Sequence, residues 1–541
     1  MDRREIIKRL SAVPFVSAMY PLESTFAYQN QRRASAPAQN IYQKIGIEPV
    51  INCRGTFTII GGSIERPAVV EAMHQASGYF VQYDELAFGI GQRLADLTGA
   101  EWGMVSAGCA AAMKHVTAAC VTGGNPERLV RIPDLTGFEK TEVVSPRRCR
   151  NVYDHAVRNI GVTMITVDTP EEMAKALTSR TAMIYLTSSD SIPPDGPFSY
   201  EQIARMAKPL NIPILVDVAA QDLTWKPNIH LQRGATVVAY SGGKALCGPQ
   251  CAGLLLGDKS ILMSAWQASS PHHGPGRDNK VGKEEMMGMV AAVEDWVNRD
   301  HVAKERTWRT WLENISKRLT AINGVTCVIT EPTGLGNRSP RISVSWNPEA
   351  FNITGMDVSE ELATTTPRIA LSGSFLDNNG MTNVGINTGQ MQPGEDKIVA
   401  DRLYEILTRK NEKPVGLAAA IPKLSGRWDV DIDFYSSKCR HSFTIEQDGN
   451  FISGWHRGEF TTREMYGVVD GNKVRLFSSE RLTADNVPFT FHGTATNDKM
   501  EGGIYMGEYI RATFTATRYE VPANPARNRP IMVPQGQPLS S

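Results

Sequence analysis

The chain has 541 residues, of which 57 are basic and 57 acidic, so its formal net charge is zero. Balanced charge gives no electrostatic reason to expect nucleic acid or an anionic membrane surface as partner. The length suffices for two to four domains, and no apolar run approaches the roughly 20 residues of a membrane-spanning helix. The 8 cysteines lack a Cys-x-x-Cys motif. This predicts free thiols, leaves one disulfide open, and gives no reason to expect a metal site.

The N-terminal segment resembles an export signal. Arg3 and Arg4 precede two apolar residues and a lysine, a modestly apolar stretch follows, and Thr25-Phe26-Ala27 offers a small-residue cleavage site. We therefore expect residues 1–27 to be a twin-arginine-like signal and the protein to be periplasmic. A cytoplasmic protein with a disordered leader is the alternative. Residues 28–40 are rich in Gln, Ser, Ala and Pro, which predicts a flexible linker.

Residues 41–290 alternate between short apolar runs and helical patterns. Such alternation predicts an α/β domain with a mainly parallel sheet covered by helices on both faces. The predicted strands are 102–105, 163–167, 182–186, 214–218 and 237–240, and the predicted helices are 70–80, 110–121, 170–177 and 200–208. In sheets of this kind, ligands bind beyond the carboxyl ends of the strands.

Two of the predicted strands lead into residues that favour a pyridoxal-phosphate (PLP) site. Asp217 lies at the end of one strand, and the next strand runs into Ser241-Gly242-Gly243-Lys244. In enzymes of the aspartate-aminotransferase fold, the lysine forms a Schiff base with the cofactor and the acid pairs with the pyridinium nitrogen. The spacing therefore predicts Lys244 and Asp217 as catalytic and cofactor-binding residues of a fold-type-I enzyme.

A turn of small residues supplies the candidate phosphate site. Ser106, Gly108 and Cys109 follow a predicted strand and open a helix, whose free N–H groups suit an anion. A plain strand-to-helix turn has the same appearance. Ser241, three residues before the lysine, is a further candidate phosphate donor.

Four other residues are candidates for work on the cofactor or the substrate. His155 is expected to stack on the cofactor ring or act as an acid, unless it is structural. Arg277 and Lys280 form a cationic cluster after the lysine, which would bind a substrate anion or a neighbouring subunit's cofactor phosphate, or else be a solvated face. Arg368 is the candidate for the substrate carboxylate, because a planar guanidinium suits that group.

The remaining chain predicts two further domains. Residues 291–411 read as a small α+β domain, and residues 412–424 as a linker. Residues 425–520 contain short alternating segments separated by turns, which predicts an antiparallel, lipocalin-like barrel or sandwich. It would bind a ligand or serve as an interaction or shielding module. Residues 521–541 are expected to form a flexible tail.

Five motifs between residues 41 and 411 are similar to one known group of enzymes. They are Ile51–Thr58 with Gly61–Ser63, Thr122–Pro126, Tyr153–His155, Ser241–Lys244 with Gly248–Gln250, and Lys280–Glu285. As a set they resemble the SelA-like PLP proteins, which include D-glucosaminate-6-phosphate ammonia lyase and L-seryl-tRNA selenium transferase. The resemblance implies a fold-type-I PLP enzyme that works as a homodimer or larger homo-oligomer, with Lys244, Asp217 and the 106–109 turn in the roles above.

The residues and the resemblance together predict a PLP-dependent lyase with a small-molecule amino acid as substrate. It would eliminate a β-hydroxyl or similar group from an amino acid to give a keto acid and ammonia, and the resemblance favours a sugar-derived amino acid. Lys244 would take the α-proton. An aminotransferase, a selenium-transferase-like enzyme and a racemase remain alternatives, as does an exported binding protein built on an enzyme scaffold.

Overall fold

The computed structural model describes residues 40–188, 192–193, 195–377, 379–413, 416–479, 483 and 487–520. The predicted export signal, nearly all of the predicted linker after it, and the predicted C-terminal tail lie outside these residues. The chain divides into two compact units, with the boundary after Lys413. No helix within the described ranges is both long and apolar enough to span a bilayer.

The first unit is built from alternating strands and helices. Its described strands are β1 (Val50–Asn52), β2 (Trp102–Ser106), β3 (Glu142–Pro146), β4 (Thr163–Val167), β5 (Thr181–Thr187), β6 (Ile214–Asp217), β7 (Val237–Ser241), β8 (Gly253–Gly257), β9 (Thr326–Thr330), β10 (Arg341–Trp346), β11 (Arg368–Ala370), β12 (Ser372–Gly373) and β13 (Thr382–Asn387). Its described α-helices are α1 (Pro67–Ser77), α2 (Tyr83–Thr98), α3 (Gly108–Thr122), α4 (Pro126–Leu129), α5 (His155–Arg158), α6 (Pro170–Ala176), α7 (Tyr200–Ala207), α8 (Ile229–Gln232), α9 (Lys259–Gln267), α10 (Lys283–Asn298), α11 (His301–Leu319), α12 (Pro348–Phe351), α13 (Gly355–Thr364) and α14 (Glu395–Thr408).

The main sheet has seven strands in the order β2-β8-β7-β6-β5-β3-β4. All neighbouring strands are parallel except β8, which runs antiparallel to both β2 and β7. Strands such as β7 and β8 are almost wholly buried, as expected for a sheet covered on both faces. The mainly parallel sheet predicted from the sequence is therefore confirmed.

A smaller sheet follows the long helices α10 and α11. Its four antiparallel strands have the order β12-β13-β10-β9, and a separate parallel pair joins β1 to β11. Strand β10 alternates exposed or half-buried residues with buried ones such as Ile342 and Val344, as expected for a sheet with one face in a core. Because β1 pairs with β11, this N-terminal strand lies beside a strand of the small domain.

The second unit is a closed antiparallel barrel of eight strands. They are β14 (Gly426–Asp433), β15 (Lys438–Asp448), β16 (Phe451–Arg457), β17 (Thr462–Asp470), β18 (Lys473–Ser478), β19 (Phe489–Ala495), β20 (Lys499–Met506) and β21 (Tyr509–Arg518). Strand β21 pairs back with β14, which removes both sheet edges. Trp428, Phe443 and Phe491 are fully buried. The alternatives predicted from the sequence thus resolve to a barrel.

Candidate active site

The carboxyl ends of three strands meet at one edge of the main sheet. Strands β2, β6 and β7 share one direction, since β8 is antiparallel to β2 and β7, and β6 is parallel to β7. Gly253, the first residue of β8, is the register partner of both Ser106 and Ser241. Asp217 at the end of β6 pairs with Ala239 of β7. The topology therefore brings the predicted acid, the phosphate turn and the lysine loop to the same edge.

Asp217 is held by a small set of donors. Its Oδ1 accepts from the Ala219 backbone N–H at 3.0 Å and from the Cys109 thiol at 3.5 Å. Its Oδ2 accepts from the Tyr185 hydroxyl at 3.4 Å. Burial raises the pKa of Asp217, while these hydrogen bonds and the charge of Lys244 oppose the rise. A positive ring nitrogen beside this carboxylate would favour the ionised form further.

The loop that carries Lys244 is shaped by glycines. A Cβ on Gly242 would lie 2.7 Å from the Ala252 carbonyl oxygen, and one on Gly243 would lie 2.7 Å from the Gln250 Cα. The backbone therefore turns where side chains have no room. Lys244 itself is half-buried, and its positive charge opposes the rise in pKa that burial causes at both Asp217 and Cys109.

The turn before α3 has the features of an anion cradle. Gly108 has a φ of +84°, and a Cβ on Gly253 would lie 2.5 Å from the Gly108 carbonyl carbon. No side chain caps the first turn of α3, so its N–H groups remain available to a phosphate. The Ser106 hydroxyl donates to the Gly108 carbonyl at 2.9 Å. Ser106 thus shapes the turn, while the backbone offers the donors.

His155 is a surface residue. It is exposed at the start of α5, whereas the preceding Asp154 is fully buried and pairs with Arg150 and Arg158. Of the two motif residues, the structure therefore places the acid inside and the histidine at the surface.

The predicted substrate-binding cations are exposed or have hydrogen-bond partners outside the sheet edge. Arg277 and Lys280 are exposed, and Arg277 donates to the Ser270 hydroxyl at 3.2 Å. Arg368 on β11 donates to the Ala363 carbonyl at 2.9 Å. The structure brings Lys244, Asp217 and Cys109 to one edge of the sheet. Arg277 and Arg368 have the hydrogen-bond partners named above, and Lys280 is exposed to solvent.

A cleft beside the lysine loop was not predicted from the sequence. Its empty volume is about 600 Å³ including open solvent, and its lining includes Gly55, Ala220, Asp222, Ala245, Lys304 and Arg338. Ala245 directly follows Lys244, and Ala220 lies three residues after Asp217. Tyr185 was missed as well, because a tyrosine inside a buried strand carries no sequence signal. Asp222 was detectable in principle as a second acid beyond the end of β6.

The residues at the sheet edge fit pyridoxal phosphate. The charge of the lysine acts on an acid at the end of a parallel strand, and that acid accepts from Cys109 in the uncapped first turn of a helix. Together with the seven-stranded sheet, these features define a fold-type-I PLP-dependent enzyme.

Within that class the chain is similar to enzymes of the SelA-like group, as comparison with known proteins shows. It is 29% identical to D-glucosaminate-6-phosphate ammonia lyase of Salmonella typhimurium over 334 residues, which is 60% of this chain and 86% of the relative. It is 27% identical to a Streptomyces 5'-C-glycyluridine monooxygenase-decarboxylase over 395 residues, which is 70% of this chain and 95% of the relative. An L-seryl-tRNA(Sec) selenium transferase of Proteus mirabilis is 25% identical over 294 residues, 49% of this chain and 60% of that protein.

The fold comparison agrees with the sequence comparison. A solved structure of D-glucosaminate-6-phosphate ammonia-lyase matches 70% of this chain and all of its own length, with a TM-score of 0.62 and 27% identity. No family model matches the chain.

Proposed function

We propose that the protein is a PLP-dependent lyase that removes a β-hydroxyl from an amino acid and yields a keto acid and ammonia. The observation that carries this proposal is the arrangement of Lys244 and Asp217 at the strand ends of a sheet shared with an ammonia lyase. The solved structure of that lyase covers 70% of this chain and is itself covered completely.

Bound PLP supplies an electron sink that makes the substrate α-proton acidic. The Lys244 amine, set on its glycine-shaped loop, accepts that proton. The Asp217 carboxylate would keep the ring nitrogen of the bound cofactor protonated. The Ala219 N–H fixes the orientation of this carboxylate at 3.0 Å, and Tyr185 does so at 3.4 Å. The first turn of α3 would hold the cofactor phosphate through its backbone N–H groups.

The cleft supports a hydroxylated substrate. Asn337, Ser339 and Asn387 line it together with Trp308, and amide and hydroxyl groups suit hydroxyl-rich ligands. A lyase relative acts, by its name, on a sugar-derived amino acid. We therefore propose a sugar-derived β-hydroxy amino acid as the substrate class.

A second candidate is a transferase, which the selenium-transferase relatives favour. The two are separated by incubating the purified protein, loaded with PLP, with D-glucosaminate-6-phosphate and with D- and L-hydroxy amino acids. Release of keto acid with ammonia supports the lyase. Conversion of the cofactor to its amine form by an amino donor, without ammonia, supports an aminotransferase. Absence of keto product across the whole panel contradicts the lyase proposal.

We propose that the working form is a homodimer or larger homo-oligomer. The segment from α1 to α2 exposes several large apolar side chains, among them Tyr79 at 71%, Phe80 at 103% and Phe88 at 44%. An apolar face of this kind is typical of a surface covered by a partner. A second copy of the chain is the partner that this proposal names.

We also propose that the protein is exported in the folded state through its twin-arginine-like segment, with a cytoplasmic location as the alternative. Export after folding allows PLP to be loaded in the cytoplasm. Cell fractionation of wild type and of an Arg3→Lys, Arg4→Lys variant tests this. Wild type in the periplasm with the variant retained inside supports export, and equal retention of both contradicts it.

A further inference from the structure

The cleft beside Lys244 contains an acid that the proposed chemistry has not yet used. Asp222 follows Asp217 by five residues on the loop after β6. Its backbone N–H donates to the Leu335 carbonyl at 3.0 Å, and the neighbouring Asn337 N–H donates to Ala220 at 2.9 Å. Two main-chain hydrogen bonds therefore fix this loop against the small-domain segment and hold Asp222 in the cleft wall.

The Asp222 carboxylate has no hydrogen bond or ion pair within the described residues, although charged groups surround it. Arg338 pairs with Glu305 at 3.6 Å, and the Lys304 ammonium lies 4.6 Å from the centre of the Trp308 ring. Burial raises the pKa of Asp222 to about 6, while Arg338, Lys304 and Arg299 oppose the rise and Glu305 adds to it. A carboxyl group with a pKa close to neutrality is suited to donate a proton and to regain it.

Elimination of a β-hydroxyl requires such a donor, because hydroxide is a poor leaving group. The sheet-edge residues provide a base for the α-proton in Lys244 and a partner for the ring in Asp217. Asp222 lines a cleft together with the residue after Lys244 and the residue three after Asp217, so the cleft joins this acid to the loop that carries the lysine.

We propose, resting on the lyase function above, that Asp222 is the general acid that protonates the departing β-hydroxyl. Lys244 takes the α-proton, and the electron pair of the Cα–H bond becomes the Cα–Cβ double bond. The Cβ–O bond breaks, its electron pair stays on oxygen, and that oxygen takes the Asp222 proton and leaves as water. One water then hydrolyses the released enamine to keto acid and ammonia. The proton on Lys244 returns to the Asp222 carboxylate through solvent in the open cleft.

The test exploits a leaving group that needs no proton. Wild type and Asp222→Asn are assayed with D-serine, L-serine and D-glucosaminate-6-phosphate. Each substrate is compared with its β-chloro analogue. Chloride leaves without protonation, so the variant is expected to lose about 10²- to 10⁴-fold in kcat on the hydroxyl substrates. It is expected to keep kcat on the chloro analogues within about threefold. Asp222→Glu should recover part of the loss.

A second readout separates a chemical role from a structural one. Binding of alanine and of the 3-deoxy sugar acid is measured by calorimetry, and exchange of their α-proton with deuterated water by NMR. Both should be unchanged in Asp222→Asn, because these ligands have no β-hydroxyl. Asp401→Asn is the matched control, since this exposed acid of α14 pairs with Arg318 of α11, and it should behave as wild type.

Equal losses on the hydroxyl and chloro substrates, or no loss on either, would overturn the role of Asp222. If wild type exchanges the α-proton but eliminates neither group, the lyase function itself fails and the Asp222 role falls with it. If wild type eliminates chloride but never hydroxide, the PLP chemistry stands and the general acid is refuted.

Discussion

Replacement of Gly253 by alanine tests the phosphate cradle without touching a reacting group. Gly253 lies between β2 and β7 at the site edge, and its added Cβ would meet the Gly108 carbonyl carbon at 2.5 Å and the Cys109 nitrogen at 2.8 Å. Non-bonded heavy atoms settle at about 3.5–4.0 Å, so β8 and the turn before α3 must move apart by roughly 1 Å. Both partners are backbone, which leaves no flexible side chain to absorb the shift.

The expected cost follows from this displacement. Overpacking a well-packed interior costs about 1–3 kcal/mol. If the turn moves rather than the sheet, the loss appears as weaker cofactor binding, by about 5- to 150-fold. The Schiff base at Lys244 should still form at saturating PLP, because the lysine loop keeps its own contacts.

The assay is a titration of PLP followed by the visible Schiff-base absorbance, with thermal unfolding measured in parallel. Gly89→Ala is the control, because its Cβ would meet nothing within 4 Å on helix α2. PLP affinity and unfolding temperature both equal to wild type in Gly253→Ala would refute the assignment of the turn before α3 as the phosphate site.

Three further changes test other parts of the structure. Tyr185→Phe removes a hydroxyl that donates to Asp217 at 3.4 Å, and stopped-flow kinetics should show α-proton removal slowed by about 3- to 10-fold, which corresponds to a hydrogen bond of roughly 0.5–1.5 kcal/mol. Phe80→Asp should dissociate the oligomer, and light scattering that finds the same mass as wild type would count against the apolar face as an interface. In the barrel, burial beside His441 and Arg463 lowers the pKa of His456 to about 3, below its unfolded value of about 6.5. The unfolded chain therefore binds more protons, and the stability of the barrel should fall as the pH drops from about 6.5 toward 3. Denaturant unfolding of the wild type that gives the same stability over this whole range would contradict the burial of a neutral His456.

Part of the site was predictable because strand ends carry local signals. An apolar run that ends in Asp217, and another that runs into two glycines and Lys244, encode both the sheet and the edge at which ligands bind. The parallel direction of these strands then brings the two residues together without any knowledge of side-chain packing. The helix start at Gly108 is visible for the same reason.

The cleft was not predictable, because it depends on contacts between distant parts of the chain. Asp222 meets the segment around Asn337 through hydrogen bonds that span more than one hundred residues of sequence. Lys304 lies in a stretch, Lys283 to Leu319, where the sequence pattern alone shows no break between two helices. The structure instead ends α10 at Asn298 and begins α11 at His301, with Asp300 accepting from the Ala303 N–H at 2.9 Å.

Barrel closure and the different burial of Asp154 and His155 also could not be predicted, because both depend on contacts that local patterns do not show. Alternation and turns predict antiparallel strands, but the pairing of β14 with β21 joins the two ends of the domain. In the motif Tyr153-Asp154-His155, the sequence favoured the histidine as the functional side chain. The two arginines Arg150 and Arg158, each four residues from Asp154, instead pair with that buried acid.

The most direct test of the central claim is a visible absorption spectrum of the purified, PLP-loaded protein beside that of Lys244→Ala. We predict a Schiff-base band in wild type that is lost in the variant and that changes when a turned-over amino acid is added. A wild-type protein that shows no such band with PLP, or a variant that keeps the same band, would contradict Lys244 as the cofactor lysine and with it the proposed chemistry.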